Sequence, residues 1–239
     1  MQMSPLPRAE VRDCRARGKL AGKVALVTSG DSGIGRSVAI AFAKEGADVA
    51  IVYLNEHRAA EDTRQRILRE NGRCVLIAGN VAREDFCRNA VKRTLAAFER
   101  LDILVNNTAE QQPGPDPRKI AGEERERSLR TNLLGMFYLT KAAMPYLPAG
   151  GAIINTTAVT AWRDSTHLID DAATTGTIVS FTRSIARALI DRRIRVNTVT
   201  PGSAPALEEF APSYAFLAAQ DGSFVTGQAL HAKASEAAA

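Results

Sequence analysis

Between Val24 and Gly35 the chain reads Val-Ala-Leu-Val-Thr-Ser-Gly-Asp-Ser-Gly-Ile-Gly, an apolar run that passes through a glycine-rich turn into a helical pattern. No other segment constrains the fold as strongly. A helix that starts on glycines presents bare backbone N–H groups and the positive end of its dipole, and an anion can approach because no side chain stands in the way. This is the layout of a dinucleotide-phosphate cradle. A strand feeding a helix in this way belongs to a βα unit, so the rest of the chain is expected to repeat that alternation.

It does. Short apolar runs at Val24 to Thr28, Asp48 to Val52, Cys74 to Ala78, Ile103 to Asn106, Ala152 to Asn155, Ile194 to Val199 and Gln228 to His231 are bounded by turn residues and predict strands. Between them Ile34, Val38 and Phe42 recur every four residues, as do Val91 and Leu95, and Ile178, Phe181, Ile185 and Leu189 keep a helical spacing. These stripes predict core-facing helices. The fold class expected is α/β, a single-domain Rossmann-type doubly wound parallel sheet of about seven strands with helices on both faces. The domain is expected over 23–231, between a basic N-terminal tail over 1–22 and an Ala-rich, frayed end over 232–239. Pro113, Pro115 and Pro117 make the loop from Gln111 to Arg118 irregular.

Composition narrows the partners. The formal charge of +5 suggests nucleic acid, but the basic residues are spread along the chain with no aromatic-interleaved block, so solvated helix faces explain them and no nucleic acid is expected. Arg8, Arg12 and Arg15 share helical spacing in the tail, which is read as a soluble extension. No apolar run reaches the roughly 18 residues that a membrane helix needs, and the basic start lacks the apolar core of a secretory signal. Cys14, Cys74 and Cys87 form no Cys-x-x-Cys pair, which predicts reduced thiols and a cytoplasmic setting. His57, His167 and His231 have no metal spacing, so no metal site is expected.

The turn Thr28-Ser29-Gly30-Asp31-Ser32-Gly33-Ile34-Gly35 resembles the Thr-Gly-x-x-x-Gly-Ile-Gly turn of the short-chain dehydrogenase/reductase family, above all bacterial members whose turn reads Gly-Gly-Asp-Ser-Gly-Ile-Gly. Further motifs follow in the family's order. Asn80-Val81 stands where the family has an Asp-Val that meets adenine, and Leu104-Val105-Asn106-Asn107-Thr108-Ala109 looks like its Asn-Asn-Ala-Gly strand end. Ile153-Ile154-Asn155-Thr156-Thr157, Arg195-Val196-Asn197 and Pro201-Gly202 match as well, so the resemblance runs from about Leu20 to His231.

What the resemblance implies is an NAD(P)-dependent oxidoreductase in which an Asn, a Ser, a Tyr and a Lys act together. The Tyr exchanges a proton with the substrate oxygen as hydride moves, the Lys lowers the Tyr pKa and holds the nicotinamide ribose, the Ser orients the substrate oxygen, and the Asn anchors a water relay. Asn132, in Arg130-Thr-Asn-Leu-Leu-Gly135, matches the Asn. The other three positions do not match: Ala158 stands for the Ser, and the Tyr-x-x-x-Lys box falls on Asp171-Ala172-Ala173-Thr174-Thr175. An aspartate in its ordinary range is ionised at neutral pH and cannot donate as a phenol does. Thr175 carries no positive charge. Losing one positioned acid costs roughly 100-fold to 10,000-fold, so little or no turnover by the family's mechanism is expected, and the chain reads as a pseudoenzyme. His167, four residues before Asp171, is the candidate to pair with it as a substitute acid/base unit, with Ser165 a weak substitute hydroxyl.

Other departures concern binding. Ser29 puts a side chain where the family's first glycine permits a tight turn, with Gly30 as partial compensation. Tyr53 occupies the end of the second strand, where NAD-preferring relatives place an Asp on the ribose 2′-hydroxyl. Arg36 and Arg58 suit a 2′-phosphate, so the cofactor expected is NADP ahead of NAD, with Glu56 keeping NAD open. After Pro201-Gly202 only Ser203 to Leu207 precede the helix-like Glu208 to Ala219, which predicts a shortened substrate lid and an open pocket. The surviving roles expected are cofactor sensing, or service in a homo-oligomer or beside an active relative. The helices containing Asn132 and Ile178 would form that interface. The competing expectation is an oxidoreductase acting on a carbonyl or alcohol with altered active-site residues.

Overall fold

The computed structural model describes residues 17–108, 122–157, 169–202 and 207–232, with backbone alone at 124 and 169–173. Its strands are β1 (Val24–Thr28), β2 (Asp48–Tyr53), β3 (Cys74–Ala78), β4 (Ile103–Asn106), β5 (Ala152–Thr156), β6 (Arg195–Pro201) and β7 (Ala229–Ala232). They form one sheet in the order β3-β2-β1-β4-β5-β6-β7, every neighbouring pair parallel. The order reverses direction between β1 and β4, so the crevice at their carboxyl ends is the place where an open α/β sheet binds ligands.

The helices are α1 (Gly33–Lys44), α2 (His57–Arg69), α3 (Glu84–Phe98), α4 (Gly122–Leu129), α5 (Gly135–Ala143), α6 (Ile169–Ala188) and α7 (Ala211–Ala218). Both faces of the sheet are covered because the strands are apolar on both. Val27, Val49, Ile51, Val105 and Ile154 pack against Val38 and Phe42 of α1, Ile67 of α2 and Tyr214 of α7. Leu26, Val52, Leu104 and Ile153 face the opposite layer, where Val91 of α3, Leu139 of α5 and Ala186 of α6 meet them. Fully burying a side chain such as Phe42 contributes about 1.5–3 kcal/mol, which is why the four-residue stripe specifies the seating of α1.

Polar groups pin the sheet at chosen points. Asp102, almost wholly buried, accepts the backbone N–H of Val24 at 2.9 Å and the Arg100 guanidinium at 2.7 and 2.8 Å, tying the start of β1 to the start of β4. Asn106 donates to Asn155 at 2.8 Å and to Thr140 at 3.1 Å, and Asn155 donates to Thr182 at 2.8 Å. That ladder joins β4 and β5 to α5 and α6 through an otherwise apolar layer. Arg195 spreads its guanidinium over the carbonyls that end α7, bonding Leu217, Ala218 at 3.4 Å, Ala219 at 3.3 Å and Gly222 at 3.0 Å.

Several boundaries differ from the sequence reading, those of β2, β5 and β7 by a single residue. The basic tail expected over 1–22 is not a free tail throughout: Leu20 is fully buried, and Glu45 at the end of α1 accepts the N–H groups of Arg17 and Lys19. The helix expected over Glu208 to Ala219 is a 3₁₀ turn, Leu207–Phe210, followed by α7. Pro212 explains the break, since proline is tolerated only in a helix's first turn. The sixth strand begins at Arg195 and carries on to Pro201, beyond the expected end at Val199.

Candidate functional site

Each glycine of the turn after β1 has its own reason. Gly33 opens α1 with φ +55° and nothing within 4 Å of where a Cβ would sit, so its backbone is bare toward the crevice. A Cβ on Gly35 would lie 2.1 Å from the Ser29 carbonyl oxygen and 2.7 Å from Asn107 Nδ2, so only glycine lets the helix close on the turn. Gly30 is not the turning residue. It has no positive φ, and a Cβ there would meet Ile51 at 2.9 Å. The positive φ falls on Ser29, at +49°, so the residue that replaces the family's glycine carries the left-handed backbone itself.

The first turn of α1 has no acidic residue, and the N-cap Ser32 makes no side-chain cap bond. Its hydroxyl donates instead to the Asp31 carboxylate at 3.1 Å. The opening N–H groups of the helix are thus left without a side-chain acceptor, the condition under which a helix N-terminus takes up phosphate. Arg36 is placed differently from the expectation. Its guanidinium donates to the Asp31 carbonyl at 2.6 and 2.9 Å, to Thr63 at 3.0 Å and to the Ala59 carbonyl at 3.2 Å, with Asp62 at 3.5 Å. It clips the turn to α2. Arg58, exposed at the start of α2, has no ion pair among the described residues.

Beside the turn lies a cavity of about 530 Å³ bounded by Ser29, Tyr53, Leu54, Asn80, Val81, Thr108, Arg127 and Thr131. Tyr53 closes one side with its ring buried and its hydroxyl 2.9 Å from His57 Nδ1. Asn80 accepts the Ala82 N–H at 2.8 Å, which sets the sharp bend after β3 and turns Val81 inward. Leu54, Arg127 and Thr131 were not singled out from the sequence: Leu54 is an ordinary apolar residue just past β2, and nothing local marks Arg127 and Thr131 as reaching the cavity from a distant helical segment.

Deeper in the crevice is a small polar recess of about 10 Å³, room for roughly one water, with Thr28, Asn106, Thr108, Asn132, Thr156 and Ile178 on its walls. Asn132 sits in a π-helical segment, Arg130–Leu134, inserted between α4 and α5, and donates to Ser128 at 3.3 Å. Such bulges redirect one side chain off a helix axis. Here they turn the one matching catalytic position toward the sheet. The Asn106 Oδ1 atom is buried without a partner among the described residues.

Thr28 joins the two compartments. Its hydroxyl accepts the N–H groups of Asn107 at 2.8 Å and Thr108 at 2.9 Å, and Ser29 meets Thr108 hydroxyl to hydroxyl at 2.9 Å. Thr156, at the end of β5, bonds Asn107 Oδ1 at 3.0 Å and the Tyr214 hydroxyl at 2.8 Å. Pro201 ends β6 beside Ala232, and Gly202 donates to the Ala232 carbonyl at 2.8 Å, which holds this pair at the carboxyl edge of the sheet.

At the other positions expected from the family resemblance to carry catalytic groups, Thr175 is a buried hydroxyl in α6. Asp171 belongs to the same helix by its backbone, its side chain lying outside the described residues. Ala109, Ala158 and His167 lie outside them too, as do Trp162 and Ser165. Tyr214 is the tyrosine that bonds Thr156 at the end of β5, where complete burial pushes its phenol pKa above the ordinary range, against a smaller opposing effect of the Thr156 hydrogen bond. Among the described residues no group of three or more His, Cys, Asp or Glu could hold a metal, and no helix is long and apolar enough to cross a membrane.

The family model described as short chain dehydrogenase matches residues 23–206. The chain is 48% identical, over 96% of its length and 89% of the relative's, to a protein of Bacillus subtilis (strain 168) named "Uncharacterized oxidoreductase YhdF". It is 37% identical to "NADPH-dependent aldehyde reductase 1, chloroplastic" of Arabidopsis thaliana, over 96% of this chain and 91% of that one. Among solved structures, a short chain dehydrogenase from Burkholderia cenocepacia J2315 in complex with NADP superposes with a TM-score of 0.87 at 29% identity, covering 90% of this chain and 98% of that one.

Proposed function

Because the chain belongs to the short-chain dehydrogenase family, we propose that it keeps the family's dinucleotide site while having given up the family's ordinary carbonyl and alcohol turnover. The observation that carries this reading is a contrast within one crevice. The phosphate turn and its 530 Å³ neighbour are complete, while the lysine position is the buried hydroxyl of Thr175.

The residues present fit a nicotinamide dinucleotide. Its diphosphate would rest on the bare backbone from Gly33 to Gly35, and its adenosine would lie in the cavity between Tyr53 and Val81. Arg58 is the better placed of the two arginines for a 2′-phosphate, since Arg36 is already engaged by Asp31, Thr63 and Ala59. NADP is therefore the preferred form in this reading, in keeping with the relative named for NADPH and the structural neighbour in complex with NADP. When bound, the dinucleotide supplies hydride transfer. This chain contributes Asn132 and a recess for one water, but neither Ala158 nor Thr175 can orient a substrate oxygen or sharpen an acid.

A protein of this kind acts as a cofactor sensor, or as a partner in an oligomer of its own copies or with an active relative, in a cytoplasmic setting. Phe137 on α5, 44% exposed, and Phe181 on α6 pack edge to face at 5.9 Å on the helices expected to form that interface. The retained Asn132 segment favours a second reading, an oxidoreductase with altered chemistry.

Calorimetric titration with NADPH and then NADH, cross-checked by energy transfer from Trp162, tests the proposal. Saturable one-to-one binding without turnover of a panel of aldehydes and alcohols is the expected result. Absence of binding at millimolar cofactor would overturn the sensor role, and steady turnover by the unmodified chain would establish the second reading.

A further inference from the structure

Tyr214 lies on α7, the helix that follows the shortened connection after β6, and its ring is fully buried in the layer that also holds α1. Its hydroxyl reaches the carboxyl end of β5 and stops 2.8 Å from the Thr156 hydroxyl. Thr156 has one hydroxyl proton, which it donates to Asn107 Oδ1 at 3.0 Å. Tyr214 must therefore be the donor in its own contact. With Oδ1 so occupied, the Asn107 amide nitrogen faces the turn and donates to the Thr28 carbonyl at 3.3 Å. The same nitrogen stands where a Cβ of Gly35 would be 2.7 Å away. Every proton in the series runs one way, from α7 to the turn that opens α1.

We propose that Tyr214 is a positioning residue for the phosphate turn, acting through Thr156 and Asn107 to fix the seat of Gly35 and the direction of the bare N–H groups beside it. The inference rests on the dinucleotide reading for its use, though the mechanical link stands in the protein alone. Removing the phenol hydroxyl leaves a half-buried Thr156 lone pair unpaired, and removing the Thr156 hydroxyl takes this partner from both the Tyr214 hydroxyl and Asn107 Oδ1, so the second change is the more damaging. A helix held only by apolar packing would show no such order.

The test is hydrogen exchange over 29–36 in the free protein, together with binding of NADPH and of 2′,5′-ADP, for Tyr214→Phe, Thr156→Val, Thr156→Ser and the double variant Tyr214→Phe/Thr156→Val. Tyr214→Phe is expected to speed exchange in that segment and weaken NADPH about five-fold, the worth of one ordinary hydrogen bond. Binding of 2′,5′-ADP, which lacks the central diphosphate, should stay within two-fold, as an order-of-magnitude bound. Thr156→Val should weaken NADPH more, the double variant should add nothing to it, and Thr156→Ser should behave as the unmodified protein. Unchanged exchange and binding in Tyr214→Phe would overturn the proposal, and so would loosening spread evenly over the domain. Faster exchange at the turn in a protein that binds no NADPH would uphold the positioning role and refute the dinucleotide reading instead.

Discussion

The hydroxyl of Ser29 meets the hydroxyl of Thr108 at 2.9 Å across the mouth of the phosphate turn while the Ser29 backbone is held at φ +49°. A left-handed backbone on a residue with a Cβ costs on the order of 1 kcal/mol, and a partly buried neutral hydrogen bond returns about the same. Ser29→Gly should therefore change the unfolding free energy by less than about 0.5 kcal/mol, read from urea denaturation. It also removes a side chain from the path of the phosphate. NADPH should bind several-fold more tightly by calorimetry; weaker binding would show that the hydroxyl is itself a ligand.

Restoring the missing groups together should separate lost catalysis from altered catalysis. In Ala158→Ser/Asp171→Tyr/Thr175→Lys, NADPH oxidation with a simple aldehyde is expected to appear where the starting protein has none. Each single replacement is expected to remain inactive, since the acid, its activator and the orienting hydroxyl work as a unit. Equal rates in the starting protein and the triple variant would refute loss of catalysis.

Arg195→Lys should destabilise the domain by about 2 kcal/mol or more. The planar guanidinium serves carbonyls from Leu217 to Gly222 at once, with no ion pair among the described residues, and an ammonium cannot span them. Thermal unfolding would register the loss, and hydrogen exchange should place it in α7 first.

Cys74 and Cys87 are both pushed up to about 12, in each case chiefly because burial penalises the thiolate. A thiol raised in the folded state above its ordinary 9.0 stabilises the fold fully below about pH 9, and that contribution is lost as pH climbs through about 12. In a Cys14→Ser background, labelling of buried Cys87 at pH 8 should proceed only as fast as the protein unfolds, and labelling of half-buried Cys74 far more slowly than that of a free thiol. Prompt labelling of either cysteine in the native protein would contradict this. Denaturation midpoints should fall between pH 9 and 12, and less steeply in Cys74→Ala/Cys87→Ala.

The strands were legible because each apolar run is short and bounded by turn residues, and the α1 stripe of Ile34, Val38 and Phe42 could face only one layer. Two kinds of fact were not legible. A guanidinium near a phosphate turn looks the same in sequence whether it meets a ligand or the protein; Arg36 bonds Ala59 and Thr63, partners distant in the chain, and folding alone brings them together. Tyr214 was passed over because it sits among apolar residues of α7, and a hydroxyl aimed at Thr156 leaves no mark on periodicity. Ser29 was the opposite case, since a missing glycine in a turn that needs positive φ could be read at once and is borne by Ser29 itself.

The bond from Asp102 to Val24 also bears on how the chain comes off the ribosome. β1 pairs with β2 soon after both emerge, but its other edge must wait for β4, and the residue just before β4, Asp102, carries the carboxylate that caps Val24. Until then the nascent chain shows an unpaired apolar edge, the kind of surface that recruits chaperones or a neighbouring chain. Weakening Asp102 should thus be felt less by the finished protein's shape than by the fraction of newly made chains that reach it.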